Sequence, residues 1–285
     1  LRVEQQWMET ALIKTSHTPV SFSASALWSV TELDSIKLTF SRSQRAPDIQ
    51  ELFANGAHHG THSFDIGDSK LRNETSHNIE LGFHIDQNWF QADINLFQNW
   101  VSDYITPINS GQFYNINTDN VINNCSVNDE CLSIFNTQQH NATFQGFEAQ
   151  ITIPLIETNY GNLESQLFSD YVRGQFSNAN DIPRMPPLRY GLQLSWNSTD
   201  WSSKARLTRA QSQHNAGLNE TQTPGYWLLD LSANYHLNIV DYAEMMLFVK
   251  ANNLLDSEIR NSVSYLRNIA PEAGRGAELG IRIEF

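Results

Sequence analysis

The stretch "YWLLDLSANYH", from Tyr226 to His236, alternates between apolar and polar side chains. Successive side chains of a β-strand point to opposite faces, so this period of two predicts a strand that is apolar on one face only. The same alternation recurs in "SHNIELGFHID" (76–86), "PLRYGLQLSW" (187–196) and "ELGIRIEF" (278–285). The sequence therefore predicts an all-β protein.

The connections between these strands alternate in length. Short polar turns such as "TELDS", "DQN" and "NSTD" are followed by long polar segments, at 45–75, 106–141, 211–225 and 253–274. A meander of antiparallel strands with short turns at one end and long loops at the other is typical of transmembrane β-barrels. Alternation alone also allows a soluble β-sandwich, but the loop asymmetry and strands of about ten residues favour the barrel.

Strand number and aromatic placement refine this prediction. Counting back from Phe285 gives about eleven strands and a stub at Leu1–Glu4. Eleven strands fit half of a 22-stranded, plugged barrel better than a closed barrel. Tryptophans near predicted strand ends would occupy the two interfacial girdles of a membrane barrel, as Trp28, Trp89, Trp196, Trp201 and Trp227.

Composition excludes several classes of protein. The net charge of -13 argues against a nucleic-acid partner, because phosphate binding needs a basic surface. No apolar run approaches the length of a membrane helix. The start, "LRVEQQWMET", is not a signal peptide and does not begin with Met, so we expect a mature or truncated product.

The chain has two cysteines, Cys125 and Cys131, in the polar segment "NCSVNDEC". Nothing apolar surrounds them that would bury a lone thiol. We expect a disulfide formed in an oxidising compartment, with two free thiols as the alternative.

The segment "SRSQRAPDIQELFANGAHHGTHSFDIGDSKLRNETSHNIELGF" (41–83) resembles the C-terminal half of TonB-dependent outer-membrane receptors. "NATFQGFEAQI", with Gly146 and Glu148, resembles the Gly-x-Glu strand of that family. "VKANNLLDSEIR", "PEAGRG" and the terminal Phe285 resemble its last loop and last strand. The family's pattern in the first segment is matched by Arg45, Pro47, Glu51, Leu52, Phe53, Gly56, His58, Phe64, Gly67, Leu71, Glu74, Ser76, Asn78 and Glu80.

The resemblance implies a location and partners. Residues 1–285 would be the C-terminal part of a receptor barrel in the outer membrane of a Gram-negative bacterium, with the plug domain and the first half of the barrel absent. The partners would be the lipid bilayer, the TonB complex through the missing N-terminal part, and the barrel-assembly machinery through Phe285. Within the family the chain is most similar to the zinc-uptake receptors of the ZnuD type.

The segment "HHGTH" places His58, His59 and His62 within five residues. Neutral imidazole is a good zinc ligand, and these three side chains are the candidate metal site. His59 occupies the position at which a zinc protease of the His-Glu-x-x-His type has its glutamate. The nearby glycines also disfavour the helix that such a motif requires. The sequence therefore excludes a zinc protease of this type. His58 is also a family loop position, which leaves a purely structural role open.

An enzyme is the competing class of function. There is no Gly-x-Ser-x-Gly elbow, no phosphate loop and no dinucleotide fingerprint, so an outer-membrane hydrolase has no support, and we predict neither catalysis nor a resident cofactor. A surface-interaction protein is a further alternative. The sequence therefore predicts a receptor fragment for a scarce nutrient, with zinc as the leading transported ligand and an iron or haem complex as the second candidate.

Overall fold

A computed structural model describes residues 16–127, 129–240 and 243–284. The predicted stub Leu1–Glu4 and the terminal Phe285 lie outside these residues. The secondary structure is almost entirely β, and among the described residues no helix is long and apolar enough to span a membrane. The strands are β1 (Phe22–Ser29), β2 (Ser35–Arg45), β3 (Asn55–His58), β4 (Ser63–Ile66), β5 (Glu74–Gln87), β6 (Phe90–Asn115), β7 (Asn120–Ile122), β8 (Cys131–Thr158), β9 (Gly161–Phe176), β10 (Arg189–Asn197), β11 (Trp201–Ala210), β12 (Tyr226–Val240), β13 (Ala243–Asn252) and β14 (Gly276–Glu284), with one short helix, α1 (Ile49–Phe53).

Eleven of these strands form one continuous sheet in the order β1-β2-β5-β6-β8-β9-β10-β11-β12-β13-β14. Each strand of this path pairs antiparallel with the next, which confirms the predicted up-and-down meander and its number of strands. The three short strands β3, β4 and β7 lie off this path. Within the described residues the sheet is open, with β1 and β14 as its two edges.

The turns alternate as the sequence predicts. Short connections at 30–34, 88–89, 159–160 and 198–200 join strands at one end of the sheet. Longer connections at 46–73, 116–130, 177–188, 211–225 and 253–275 join them at the other end. The long connections, called the loop end below, hold α1 and all three short strands.

The two faces of the sheet differ in polarity. On one face, apolar side chains of neighbouring strands lie side by side and remain exposed, as for Val249 and its cross-strand partner Leu279, which is 81% exposed. On the other face, a polar row crosses six strands, with Arg189 donating to Asp170 at 3.0 Å. Its polar side chains are those of Lys37, Asn95, Glu148, Asp170 and Arg189, and Gly82 occupies the row's position on β5. An apolar outer face and a polar inner face are the pattern of a membrane barrel wall.

Aromatic rings on the inner face lie over glycines of the next strand. A Cβ atom added to Gly146 would lie 2.6 Å from the Phe97 ring and would collide with the Tyr171 carbonyl oxygen. At Gly191 it would lie 2.5 Å from the Phe168 ring and would collide with the Leu207 carbonyl oxygen. Glycine is therefore required at both positions, because the neighbouring ring occupies the space of a side chain.

The exposed aromatic residues cluster towards the two ends of the sheet. Trp28, Trp89 and Tyr160 lie at or beside short turns, and all three are well exposed. Trp227 is exposed near the start of β12, at the loop end. This arrangement agrees with the predicted pair of girdles flanking an apolar band.

The predicted long loop at Thr106–Asn141 is wrong in its extent. β6 has 26 residues and β8 has 28, so the hairpin they form continues past the rest of the sheet to the pair Asn115 and Cys131. Two register shifts, after Val101 and after Asn109, interrupt the pairing. Polar side chains and a proline in this region resemble a loop in sequence, but the backbone remains paired. We call this extension the β6–β8 hairpin arm.

Candidate functional site

The three candidate histidines lie in a small hairpin at the loop end. β3 ends at His58 and β4 begins at Ser63, so His59 and His62 fall in the turn between them. The backbone nitrogen of His62 donates to the His59 carbonyl oxygen at 3.4 Å, and His62 has a positive φ of 53°. The segment is a turn and not a helix, as the glycines around it predict.

All three histidines are exposed. The Nδ1 atom of His58 lies 2.8 Å from the Thr61 hydroxyl, which also lies 2.6 Å from the Ser63 hydroxyl. Ser63 in turn donates to Asp65 at 2.7 Å. Nowhere among the described residues do three His, Cys, Asp or Glu side chains come together as a metal site would require. Zinc binding by His58, His59 and His62 stays a prediction that requires the turn to rearrange.

The histidine hairpin is attached to the β6–β8 hairpin arm. β4 pairs in parallel with β8, with Phe64 opposite Ile134. The Phe64 ring also stacks on the Tyr114 ring of β6, with centroids 4.2 Å apart. A contact between strands far apart in the sequence thus fixes where the histidines stand.

Several residues of the family-like segment form a network below this hairpin. Arg45, the last residue of β2, forms ion pairs with Glu51 at 2.7 Å and with Glu74 at 3.2 Å. Glu51 also closes a capping box with Asp48 at the start of α1. Glu74 accepts from the Ile105 backbone nitrogen at 2.8 Å. These spaced charges therefore tie the loop to the ends of the barrel strands.

Cys125 and Cys131 form the predicted disulfide, with an S–S distance of 2.04 Å. Cys131 is the first residue of β8, and Cys125 lies in the connection between β7 and β8. The bond closes the tip of the β6–β8 hairpin arm. Sequence spacing was enough to predict it.

A second cluster, which the sequence did not reveal, lies beside the histidine hairpin. Glu220 forms ion pairs with Arg267 at 3.0 Å and with Arg184 at 3.5 Å. The Arg184 guanidinium lies over the Tyr265 ring, 4.3 Å from its centroid. Burial raises the pKa of the Tyr265 hydroxyl, and the nearby positive charge of Arg184 opposes this rise.

These residues line a cavity of about 220 Å³, which we call the arginine cavity. His62 and Thr61 lie on its wall, so the cavity adjoins the histidine turn. Arg184, Glu220 and Arg267 come from three different loops, and no local motif connects them. Nothing in the sequence pattern could have brought them together.

A family model described as "TonB dependent receptor-like, beta-barrel" matches residues 4–254 of the chain. The chain belongs to this family. Its eleven-stranded sheet is a partial barrel of the TonB-dependent receptor fold.

One relative in this family is "Heme/hemopexin utilization protein C" of Haemophilus influenzae (strain 86-028NP). It is 25% identical over 274 residues, which cover 90% of this chain and 36% of that protein. The chain thus spans little more than a third of the length of this curated relative.

Solved structures show the same fold. "Copper transporter OprC" matches with a TM-score of 0.68 at 16% identity, covering 92% of this chain and 39% of that one. The siderophore receptor PirA from Acinetobacter baumannii matches with a TM-score of 0.62 at 18% identity, covering 93% and 40%. The family and these neighbours are receptors and transporters rather than enzymes. That agrees with the lack of a hydrolase motif in the sequence.

Proposed function

We propose that residues 1–285 are the C-terminal part of the barrel of a TonB-dependent receptor, which takes up a scarce metal-containing nutrient across the outer membrane of a Gram-negative bacterium. One observation carries this proposal: the eleven-stranded meander has an exposed apolar face, an opposite polar face and exposed aromatic residues towards both ends. An apolar face of this size is stable against lipid and unstable in water.

The orientation follows from the loops. Bacterial barrels place short turns in the periplasm and long loops outside the cell. The histidine hairpin and the arginine cavity, both at the loop end, would therefore face the medium. The TonB complex would act through a plug domain that precedes the barrel, and the barrel-assembly machinery through Phe285.

Two substrates are candidates. Three exposed imidazoles in one turn favour zinc, the substrate of the ZnuD-type receptors that the sequence resembles. The arginine cavity and the similarity to a haem utilisation protein favour an iron or haem complex instead. The arginine cavity supports a metal complex better than a bare ion, because guanidinium groups bind the anionic groups of a chelator and not a metal cation.

Zinc binding tests the first candidate. In the complete receptor purified in detergent, changing both His59 and His62 to Ala should weaken zinc affinity more than about tenfold if they are ligands, as measured by titration calorimetry. His214→Ala is the matched control, since His214 is an exposed loop histidine outside the hairpin. Unchanged zinc affinity in the double variant would exclude the histidine turn as a zinc site.

Uptake assays test the second candidate. Cells carrying the complete receptor should grow on haemin or on a ferric chelate as their iron source, and excess zinc should not compete. Loss of growth on one of these metal sources when the receptor is deleted, with growth on the others unchanged, would support a nutrient receptor. If deletion changed growth on none of them, the proposed function would be wrong.

A further inference from the structure

The arginine cavity lies where several parts of the loop end meet. Its walls come from the histidine turn (Thr61 and His62), from β8 (Phe135) and from the loops that carry Arg184, Glu220 and Arg267. A volume of about 220 Å³ is smaller than the several hundred Å³ typical of complete ligand sites. The cavity is therefore large enough for one arm of a ligand and too small for a complete metal complex.

The charges around the cavity do not balance. Arg184 and Arg267 share one carboxylate, that of Glu220, whose side chain is only 6% exposed. In the described part of the chain, Glu220 is the only acidic residue that lines the cavity. Asp65 lies close enough for its negative charge to raise the pKa of Tyr265. It accepts a hydrogen bond from Ser63, however, and does not line the cavity. The two arginines and one glutamate that line the cavity therefore give it a net charge of about one positive unit.

Within the described part of the chain, Arg267 also has one hydrogen-bond donor without an acceptor, its Nε–H group. Its side chain is 8% exposed, and its guanidinium donates to the Ser262 carbonyl oxygen at 2.6 Å and pairs with Glu220. Its Nε atom is buried and meets no hydrogen-bond acceptor among the described residues. A buried N–H group without an acceptor is costly, and such groups are usually satisfied by water or by a ligand.

We propose that the arginine cavity is a binding subsite for a carboxylate group of the ligand, held by Arg267 and Arg184. Guanidinium groups recognise carboxylates through paired hydrogen bonds, and the excess positive charge would compensate the ligand's negative charge. His62 lies on the same wall, so an imidazole adjoins the proposed subsite. This inference rests on the proposed function and narrows its substrate to metal complexes that carry carboxylates.

A purely structural role for the three charges makes a different prediction. If Glu220 only fastened the loops together, removing its charge would loosen them and weaken any binding. If the arginines hold a ligand carboxylate, Glu220 competes with that carboxylate for them. Glu220→Gln then leaves ligand affinity unchanged or increases it.

Metal-free citrate is the first probe, because it reports on the subsite whatever the transported nutrient is. In the complete receptor, we expect citrate to bind the wild type and Arg267→Gln to weaken it by about tenfold or more, the loss expected for a charge-assisted hydrogen bond. Arg72→Gln is the matched control, since Arg72 is an exposed arginine that pairs with Asp103 away from the cavity. Absence of citrate binding, or an equal loss in Arg267→Gln and Glu220→Gln, would overturn the subsite.

A pair of ligands tests the same point without any substitution. Haemin has two propionate carboxylates, and its dimethyl ester has none. We expect the wild-type receptor to bind haemin at least about tenfold more tightly than the ester, by the same reasoning on charge-assisted bonds. Equal affinities for haemin and its dimethyl ester would contradict carboxylate recognition. Binding of citrate without binding of haemin would support the subsite, but for a different carboxylate-bearing metal complex. A receptor that binds citrate but imports no metal complex would contradict the proposed function alone.

Discussion

At the scale of single residues, the inner face of the sheet depends on glycines that lie under aromatic rings. Gly191→Ala should destabilise the complete receptor by about 1–3 kcal/mol, because the new methyl group collides with the Phe168 ring and with the Leu207 carbonyl oxygen. Chemical unfolding in detergent measures this change. Gly56→Ala is the control, since a Cβ atom there would have no neighbour within 4 Å. Equal stability of the two variants would show that the sheet relaxes around the methyl group.

At the scale of elements, the alternating pattern predicted the strands well. Each strand has one apolar and one polar face, and these two faces appear as alternating residues in its own sequence. Tyr226–His236 is an example, since its apolar set faces outward as expected. The β6–β8 hairpin arm was missed because pairing outside the membrane does not require an apolar face. The arginine cavity was missed for another reason: Arg184, Glu220 and Arg267 meet only through the folding of three separate loops.

The disulfide at the tip of the β6–β8 hairpin arm should act locally. Changing Cys125 and Cys131 to Ser should leave the global unfolding midpoint unchanged, because the bond lies at the end of the β6–β8 hairpin arm and closes a loop of only seven residues. Amide hydrogen exchange within 116–130 should become faster, since the seven-residue loop closed by the bond gains freedom. A fall in the global midpoint would mean that the tip is coupled to the barrel.

At the scale of the whole molecule, the described sheet ends in two open edges. β1 pairs only with β2, and β14 only with β13, within the residues described. Unpaired edges are unstable in lipid, where no water satisfies the backbone. We therefore expect residues 1–285, expressed alone and refolded into micelles, to give no protease-resistant monomer, whereas the complete receptor should give one. A resistant monomer of the fragment would show that the two edges can close on each other.

The length of the β6–β8 hairpin arm affects which part of the chain is accessible to molecules outside the cell. From Trp100 to the tip the paired strands extend for about 40 Å along their axis, at roughly 3.3 Å per residue. In the proposed orientation, this arm would extend into the medium, where an antibody or a bacteriophage could contact its tip. Val127 at the tip is fully exposed. Because the disulfide closes this loop, we expect the residues inside it to tolerate substitution better than the residues of the arginine cavity.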